Sequence, residues 1–241
     1  YGHGIITLML TEMLGMGASI EQNARIHAAL VPALQLTLAA QRVNKPHSHQ
    51  GGWRYQPRST DSDLSVSVWQ LMALRSAKND GVEVPGEAID QAVKYLEASY
   101  TSTRRPRRGA EELSGFSYTP GTHRATFAMT SAGLLAVQVC GLYDSPMVAG
   151  AAEWLMQNPP QINERYFYYG IYYYAQGMHQ VGGQHAETAA ELTAKLLLAA
   201  QHQDGFWQPQ REENSYGYVY ATALAVLSLS VRYHYLPIYQ R

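Results

Sequence analysis

Cysteine and charged side chains are both scarce in this chain of 241 residues. Cys140 stands alone, which excludes an internal disulfide and a cysteine-rich zinc site. Charged residues make up 15% of the chain, with 18 basic against 19 acidic side chains and a net charge of −1. Nothing in this balance favours binding to nucleic acid. Because 46% of the residues are hydrophobic, the chain can bury a sizeable core.

Long apolar runs are also missing. No stretch approaches the ~20 apolar residues of a membrane-spanning helix, and the opening YGHGIITLMLTEMLGMG has no basic segment typical of a signal peptide. We therefore expect no transmembrane segment in this chain, and a cytoplasmic and an exported location both stay open. Since the chain does not begin with methionine, it is interpreted as a processed form or as the C-terminal part of a longer protein.

A repeated segment organises the sequence. Gly-aromatic turns occur in GGWRYQP at 51–57, SGFSYTPGT at 114–122 and DGFWQPQ at 204–210. An amphipathic helix is predicted before each turn, and an apolar helix rich in small residues after it. A further unit, MVAGAAEWLMQN followed by RYFYYGIYYYAQGMHQ, keeps both helices without the turn, and residues 1–17 resemble the second helix of an earlier unit. No convincing strand is present.

The two classes of helix predict two layers. The amphipathic helices have one charged face and suit an outer layer, whereas the apolar helices suit a buried inner layer. Gly81, Gly141 and Gly182 are expected to end helices, because glycine tolerates the left-handed conformation of a helix cap. Helix pairs stacked in this way form a solenoid or a closed ring.

The segment QHQDGFW carries a resemblance to a known family. Gln201, Gly205 and Trp207 match the QW motif of the squalene and oxidosqualene cyclases, in the wider prenyltransferase and squalene cyclase repeat superfamily. Weaker copies are Gln41 with Gly52-Trp53, and Gly115-Phe116. Since the motif repeats, we interpret it as a structural tie in which the amide binds backbone groups at a helix end and the indole covers apolar surface.

This resemblance covers nearly the whole chain and implies its fold. The implied fold is all-α, an α/α toroid with inner helices around a central cavity, formed by a single repeat domain over 1–241. A full toroid has roughly six helix pairs, so this chain holds an incomplete ring or further units lie upstream. The order GGWRYQP…DLSVSVWQLMALRSA and the ending YLPIYQR resemble bacterial members of the superfamily that have no settled function.

The family's acid maps onto DSDLS at 61–65. Class II terpene cyclases protonate an alkene or epoxide with an aspartate of a D-x-D-D motif, so the resemblance implies that Asp61 and Asp63 are the first two aspartates and Asp63 the proton donor. Leu64 replaces the last aspartate, a departure from the pattern. Alternatively, Asp63 is a helix cap, since aspartate at a helix start satisfies free N–H groups. His123, expected at the start of another inner helix, is a further acid–base candidate.

Aromatic faces that stabilise positive charge are the second requirement of a carbocation cyclisation. RYFYYGIYYY at 165–174 supplies a dense set of rings on a predicted inner helix, and a second set begins the last one. The candidate ligand-binding residues are Tyr168, Tyr169, Tyr172, Tyr218, Tyr220 and Trp69. Ordinary aromatic packing is the alternative interpretation.

Other chemistry is weakly indicated. Prenyltransferases of the superfamily use a zinc site, but Cys140 lies in apolar AVQVCG without a ligand cluster, so we expect neither a metal nor a cofactor. The basic run TRRPRRG at 103–109 suits a diphosphate or lipid headgroups, or a solvated loop beside acidic residues.

Three hypotheses of function follow. The first is binding of an apolar small molecule or lipid of isoprenoid type in a central cavity, with proton-initiated cyclisation. The second is a non-catalytic domain that binds a protein partner or a glycan, and the third is a polysaccharide-cleaving enzyme on the same fold. Contact with a membrane surface is compatible with the first; nucleic acid is not expected as a partner.

Overall fold

The computed structural model describes residues 1–102 and 114–233. In these ranges the chain forms the helices α1 (Gly2–Glu12), α2 (Ile20–Gln41), α3 (Leu64–Asn79), α4 (Gly86–Ser99), α5 (Phe127–Val139), α6 (Pro146–Gln157), α7 (Phe167–Val181), α8 (Gly183–Ala200) and α9 (Gly217–Leu229). Short 3-10 helices cover His47–His49, Arg211–Tyr216 and Val231–Tyr233. The predicted all-α class is confirmed. The basic run at 103–109 lies outside the described residues.

A small antiparallel pair of strands was not predicted. The strands β1 (Tyr100–Ser102) and β2 (Ser114–Phe116) pair Tyr100 with Phe116, and their rings lie 5.1 Å apart between centroids. Three residues are too few to show the alternating pattern that reveals a strand in a sequence. The pairing is decided by contact between segments distant in sequence.

The chain divides into two compact units. The first contains residues 1–99 and 118–122, with α1 to α4. The second contains the described residues of 100–117 together with 123–233, which hold β1, β2 and α5 to α9. The prediction of a single repeat domain over 1–241 stays a prediction.

The two expected classes of helix are present in the first unit. α3 packs against α1, α2 and α4 and is buried on nearly every side. α2 buries a single stripe, formed by Leu30, Leu34, Thr37 and Gln41. The rest of that helix carries its polar side chains at the surface, as an outer-layer helix should.

The second unit is built around α7. This helix packs against α5, α8 and α9, and α5 packs in turn against α6. Every residue of α5 is buried. α9 departs from the prediction for an inner helix, because Val219 and Val226 are 69% and 51% exposed. It is buried only on the side of Ala221, Leu224 and Ala225, so an apolar sequence did not guarantee burial all round.

The predicted glycine stops are confirmed. Gly81, Gly141 and Gly182 have φ angles of 80°, 81° and 84° and lie one or two residues after the ends of α3, α5 and α7. A side chain with a Cβ atom is strained in this left-handed region, which explains the use of glycine.

Candidate functional site

Asp63 is the N-cap of α3 and is completely buried. Its Oδ1 atom accepts hydrogen bonds from the backbone N–H of Val66 at 2.9 Å and from the hydroxyl of Ser65 at 2.6 Å. These contacts are those of a capping aspartate, so Asp63 satisfies the free N–H groups of a helix start. The capping interpretation is confirmed, whereas a proton-donating role for the same carboxyl stays a prediction.

Arg54 is a partner of Asp63 that the sequence did not reveal. Its Nη1 atom lies 3.1 Å from Oδ2 of Asp63, and its Nε atom lies 3.3 Å from Oδ2 of the half-exposed Asp61. The guanidinium therefore brings the two aspartates of DSDLS together. The arginine stands nine residues before Asp63, on the other side of a turn, so no helical or strand spacing connects the two in sequence.

Tyrosines surround this ion pair within the first unit. The guanidinium of Arg54 lies over the rings of Tyr55 and Tyr118, at 5.1 and 5.5 Å from their centroids, and the two tyrosine hydroxyls are 2.6 Å apart. On the other side, the hydroxyl of Tyr1 lies 2.5 Å from that of Ser65. We call Asp63, Arg54, Asp61, Tyr55 and Tyr118 the Asp63 cluster.

Burial and hydrogen bonding have opposite effects on the pKa of the Asp63 carboxyl. Burial raises its pKa above the ordinary aspartate value, while the hydrogen bonds from Ser65 and Val66 and the charge of Arg54 lower it. Burial disfavours the charged form because water no longer solvates it, and every donor around the two oxygens favours that form. Burial has the larger effect, so the pKa of Asp63 stays above the ordinary value although these donors and Arg54 oppose the rise.

Two of the repeated segments make the same hydrogen bonds. The indole Nε1 of Trp53 donates to the carbonyl oxygen of Thr37 at 2.8 Å, and that of Trp207 donates to Leu197 at 2.7 Å. In both cases the acceptor lies four residues before the glutamine of the segment, Gln41 or Gln201. The Nε2 atoms of these glutamines donate to the carbonyl oxygens that follow, Gly51 at 3.0 Å and Gly205 at 2.9 Å.

The second Gly-aromatic turn identifies the counterpart of Asp63. The backbone N–H of Asp63 donates to the carbonyl of Trp53 at 2.9 Å, and that of Thr126 donates to the carbonyl of Phe116 at 3.3 Å. Thr126 caps α5 through the backbone N–H of Met129. A cap at this position is thus a repeated structural element, and the added feature of the first unit is the aspartate with its arginine.

His123 lies apart from the helix start at which it was expected. α5 begins at Phe127, and His123 lies in the preceding turn with a φ of 48°, its side chain exposed. Its Nδ1 atom is 2.8 Å from the hydroxyl of Thr101. This imidazole belongs to the second unit, whereas Asp61 and Asp63 belong to the first.

The predicted lining residues have different environments. Tyr168, Tyr169 and Tyr172 are buried in α7, and the centroid of the Tyr173 ring lies 4.8 Å from that of Tyr169 and 4.9 Å from that of Tyr172. Tyr218, by contrast, is 58% exposed at the start of α9. Trp69 is buried in α3 of the first unit.

Glu213 joins three of these tyrosines and was missed by the sequence analysis. Its Oε2 accepts the backbone N–H of Tyr168 at 3.0 Å, and its Oε1 accepts the backbone N–H of Tyr169 at 3.0 Å and the hydroxyl of Tyr220 at 2.9 Å. The residue is 1% exposed. Its segment REENSY reads as a solvated acidic loop, and no local pattern points to a helix forty-odd residues earlier.

This glutamate supplies the cap that α7 lacks locally. The side chain of Tyr166, the N-cap residue, makes no capping hydrogen bond. The N–H groups of Tyr168 and Tyr169 at the start of α7 instead donate to the carboxylate of Glu213, which lies in the 3-10 helix Arg211–Tyr216. We call Glu213 with Tyr168, Tyr169 and Tyr220 the Glu213 cluster.

Burial raises the pKa of Glu213, and its three donors lower it. The negative charge of the neighbouring Glu212 raises it further. The pKa of Tyr220 is raised as well, first by burial and then by the glutamate beside it. Tyr220 therefore stays a hydroxyl donor at neutral pH, and the carboxyl of Glu213 is the titrating group of the cluster.

Residues 1–102 and 114–233 contain neither a metal-binding group of side chains nor a helix suited to cross a membrane. No group of three or more His, Cys, Asp and Glu side chains in these ranges is arranged to hold a metal ion. None of the helices described there combines the length and the apolar character that crossing a membrane requires.

The fold resembles that of a known enzyme. The chain superposes on the type II terpene cyclase MstE from Scytonema, in its apo structure, with a TM-score of 0.63 and 16% sequence identity. The match covers 95% of this chain and 62% of the cyclase, so the chain spans less than two thirds of the length of that protein. No family model and no curated protein matches the sequence. The expected terpenoid cyclase-like fold is confirmed, and the narrower assignment to the QW repeat superfamily stays a prediction.

Proposed function

We propose that this chain binds an apolar isoprenoid-type ligand and promotes its proton-initiated cyclisation. The observation that carries this proposal is the Glu213 cluster of a terpene cyclase-like fold, in which a buried carboxyl accepts the backbone N–H groups of the buried Tyr168 and Tyr169 and the hydroxyl of the partly buried Tyr220. Similarity of fold alone does not define a function, but tyrosine faces and a buried acid are the groups that this reaction class requires.

Aromatic rings suit both the binding of the polyene and the stabilisation of the carbocation that forms from it. Tyrosine offers an apolar face to a polyene, and the negative face of its ring stabilises a developing carbocation. Tyr172 and Tyr173 stack edge to face in α7, which holds their planes in fixed directions. Tyr218 and Trp69 are further proposed contacts; Tyr218 is exposed at the start of α9, and Trp69 is buried in α3 of the first unit.

The resemblance to the D-x-D-D motif makes Asp63 the proposed donor of the proton, with Asp61 as the partner that shares Arg54. Burial favours the protonated form of Asp63, as a donor requires. Arg54 acts against it, so the donor would have to part from the guanidinium during turnover. His123 is proposed as an acid–base group of the second unit only.

Mass spectrometry of organic extracts tests the proposal. The purified wild-type chain, Asp63→Asn and the control Asp90→Asn, which changes an exposed aspartate of α4, are extracted and compared. A stoichiometric polyprenoid in all three supports ligand binding, and a cyclised product that is absent only from Asp63→Asn supports this aspartate as the acid. Extracts free of any isoprenoid from all three proteins would contradict the proposed function.

The exposed edge of the Asp63 cluster favours a second candidate, glycan recognition. Tyr55 is 50% exposed and lies beside Arg54 and Asp61, and sugars bind to such combinations of a flat ring and hydrogen-bonding groups. A glycan array with the wild type and Tyr55→Ala tests it. Binding that is lost in the variant would support a glycan-interaction domain, whereas no binding by the wild type excludes it for the glycans on the array.

A further inference from the structure

We propose that His49 and Ser62 form a pH-sensitive latch on the segment DSDLS, closed while the imidazole is neutral and opened when the ring gains a proton. His49 belongs to the 3-10 helix His47–His49, and Ser62 stands between Asp61 and Asp63. The latch concerns how the two aspartates are held, so it goes beyond the proposed function and does not depend on the identity of a ligand.

The Nδ1 atom of His49 accepts a backbone hydrogen bond from Ser62. The N–H group of Ser62 lies 3.0 Å from Nδ1, and the hydroxyl oxygen of Ser62 lies 2.9 Å from the same atom. A backbone N–H group can only donate, so Nδ1 must present its lone pair, and the proton of the neutral ring stands on Nε2. The closed latch therefore requires one tautomer of the neutral imidazole.

Burial makes this hydrogen bond costly to lose. Ser62 is 0% exposed, so water does not take the place of Nδ1 while the segment stays folded. A buried N–H group without an acceptor is unfavourable. His49, by contrast, is only partly buried, so its ring exchanges protons with solvent when the contact opens. Protonation of the ring and the native position of Ser62 therefore compete.

The cationic ring has other acceptors within reach. Protonation places a hydrogen on Nδ1, which then meets the Ser62 N–H group donor to donor. The hydroxyl oxygen of Ser62 at 2.9 Å and its carbonyl oxygen at 3.2 Å are acceptors for the new hydrogen. The hydroxyl can then donate to the carbonyl oxygen of His49, 3.2 Å away. Two bonding states are thus available, and they differ in whether the Ser62 N–H group keeps its acceptor.

The peptide group that loses its acceptor joins Ser62 to Asp61. The carboxylate of Asp61 lies 3.3 Å from Nε of Arg54, whose Nη1 lies 3.1 Å from Asp63. The N–H group of Asp63 is held separately by the carbonyl oxygen of Trp53 at 2.9 Å. Movement of the Asp61–Ser62 peptide therefore weakens the exposed ion pair first. Acid frees Asp61 and leaves Arg54 to Asp63 alone.

Other titratable and charged groups surround the latch. Those that face the pair or lie beside it in the chain are Lys45, His47, Arg54, Asp61, Asp63 and Tyr95. Tyr95 faces Ser62 from α4, since a Cβ atom on Gly52 would meet both side chains, and burial raises the pKa of Tyr95 to about 12. Lys45 interacts with Asp61 and donates to three backbone carbonyl oxygens. The charged side chains of α4, which packs against the 3-10 helix, are exposed.

NMR of the full chain tests the latch between about pH 8 and pH 5, the range in which imidazoles change charge. Nitrogen spectra of the His49 ring report its tautomer, which is expected to be the Nε2–H form at the upper limit. Hydrogen exchange of the Ser62 amide, divided by the intrinsic exchange rate, reports opening. This ratio is expected to rise about tenfold for each pH unit of acidification until the open form predominates, the slope of one coupled proton.

Two variants separate the imidazole from its neighbours. His49→Asn keeps an acceptor oxygen in place of Nδ1 but cannot titrate, so the Ser62 amide is expected to stay protected throughout. His47→Asn changes an exposed histidine of the same 3-10 helix and is the matched control, expected to keep the rise seen in the wild type. In the wild type, the midpoint of Ser62 opening should coincide with that of the His49 ring signals.

Several outcomes would overturn the inference. They are a hydrogen on Nδ1 at the upper pH limit, a Ser62 amide whose protection does not change with pH, and a rise that persists in His49→Asn. A midpoint of opening that differs from that of the ring would assign the transition to Asp61 or Asp63 instead. If His49→Asn does not fold, the tautomer and the two midpoints of the wild type decide. Failure of the proposed ligand binding leaves all of these outcomes unchanged.

Discussion

The Nη1 atom of Arg54 lies 3.1 Å from Oδ2 of Asp63, so the buried aspartate at the start of α3 has its own counter-ion. Arg54 is itself partly exposed and bonds through Nε to Asp61. A guanidinium that spans a buried and an exposed carboxylate is a fixed part of the turn between α2 and α3. Its removal should affect both the stability of the first unit and the protonation of Asp63.

Replacing Arg54 by methionine leaves the Asp63 carboxylate buried without its cation. We expect the free energy of unfolding at neutral pH to fall by about 3 kcal/mol, the usual effect of breaking a buried pair. The pKa of Asp63 should rise further, because the charge that lowers it is gone. Urea denaturation and carbon NMR of labelled aspartate carboxyls measure the two effects. Arg58→Met, at an exposed arginine of the same loop, is the control; equal stability of the two variants would contradict the prediction.

Glu213 should make the stability of the fold depend on pH. Because burial raises its pKa in the folded state, the folded protein binds more protons than the unfolded one between the ordinary and the raised pKa. Its contribution to stability is thus full below the ordinary value and is lost as the pH rises through the folded pKa. Urea titrations over this range should show a flatter dependence for Glu213→Gln than for Glu212→Gln. Identical pH profiles for wild type and Glu213→Gln would refute the linkage.

Trp53 and Trp207 should be equivalent structural ties. Phenylalanine at either position removes the indole N–H and leaves a buried carbonyl, that of Thr37 or Leu197, without this donor. Each change is expected to lower the free energy of unfolding by about 2 kcal/mol. Thermal unfolding of the two variants, compared with Trp154→Phe in α6, measures the effect. If only one of the two tryptophans stabilises the fold in this way, only its variant will unfold more readily than the wild type, which would contradict the prediction.

Gly133 in α5 is expected to tolerate no side chain. A Cβ atom there would overlap the ring of Phe116, the aromatic residue of the second Gly-aromatic turn. We expect Gly133→Ala to destabilise the second unit by about 1–3 kcal/mol through overpacking. Gly86→Ala in α4 meets no atom within 4 Å and should be neutral or stabilising by up to about 1 kcal/mol. Equal melting temperatures for the two variants would show that Phe116 moves aside freely.

Local pattern made much of this fold predictable. Helical spacing of apolar residues and glycine at helix ends placed the helices, and a short segment such as QHQDGFW carried enough hydrogen-bonding and packing chemistry to suggest its structural role. The strands β1 and β2 were missed because they are three residues each. The exposure of Val219 and Val226 was missed because hydropathy does not say which faces find a neighbour.

The candidate sites were predicted only in part. The capping role of Asp63 follows from its place before a helix, a relationship between neighbours in sequence. Arg54 and Glu213 act across turns and between elements, through contacts that leave no periodic trace in the chain.

The sequence by itself determined the helical class, the repeated turns and the composition of aromatic residues, because these depend on backbone preference and on side chains a few positions apart. Only the tertiary structure decided which charges meet. The pairing of Arg54 with Asp63, and the capture of the α7 N–H groups by Glu213, arise because folding brings distant segments within hydrogen-bond distance and excludes water from them. That exclusion, more than the identity of the residues, sets the protonation on which any chemistry of these carboxyls depends.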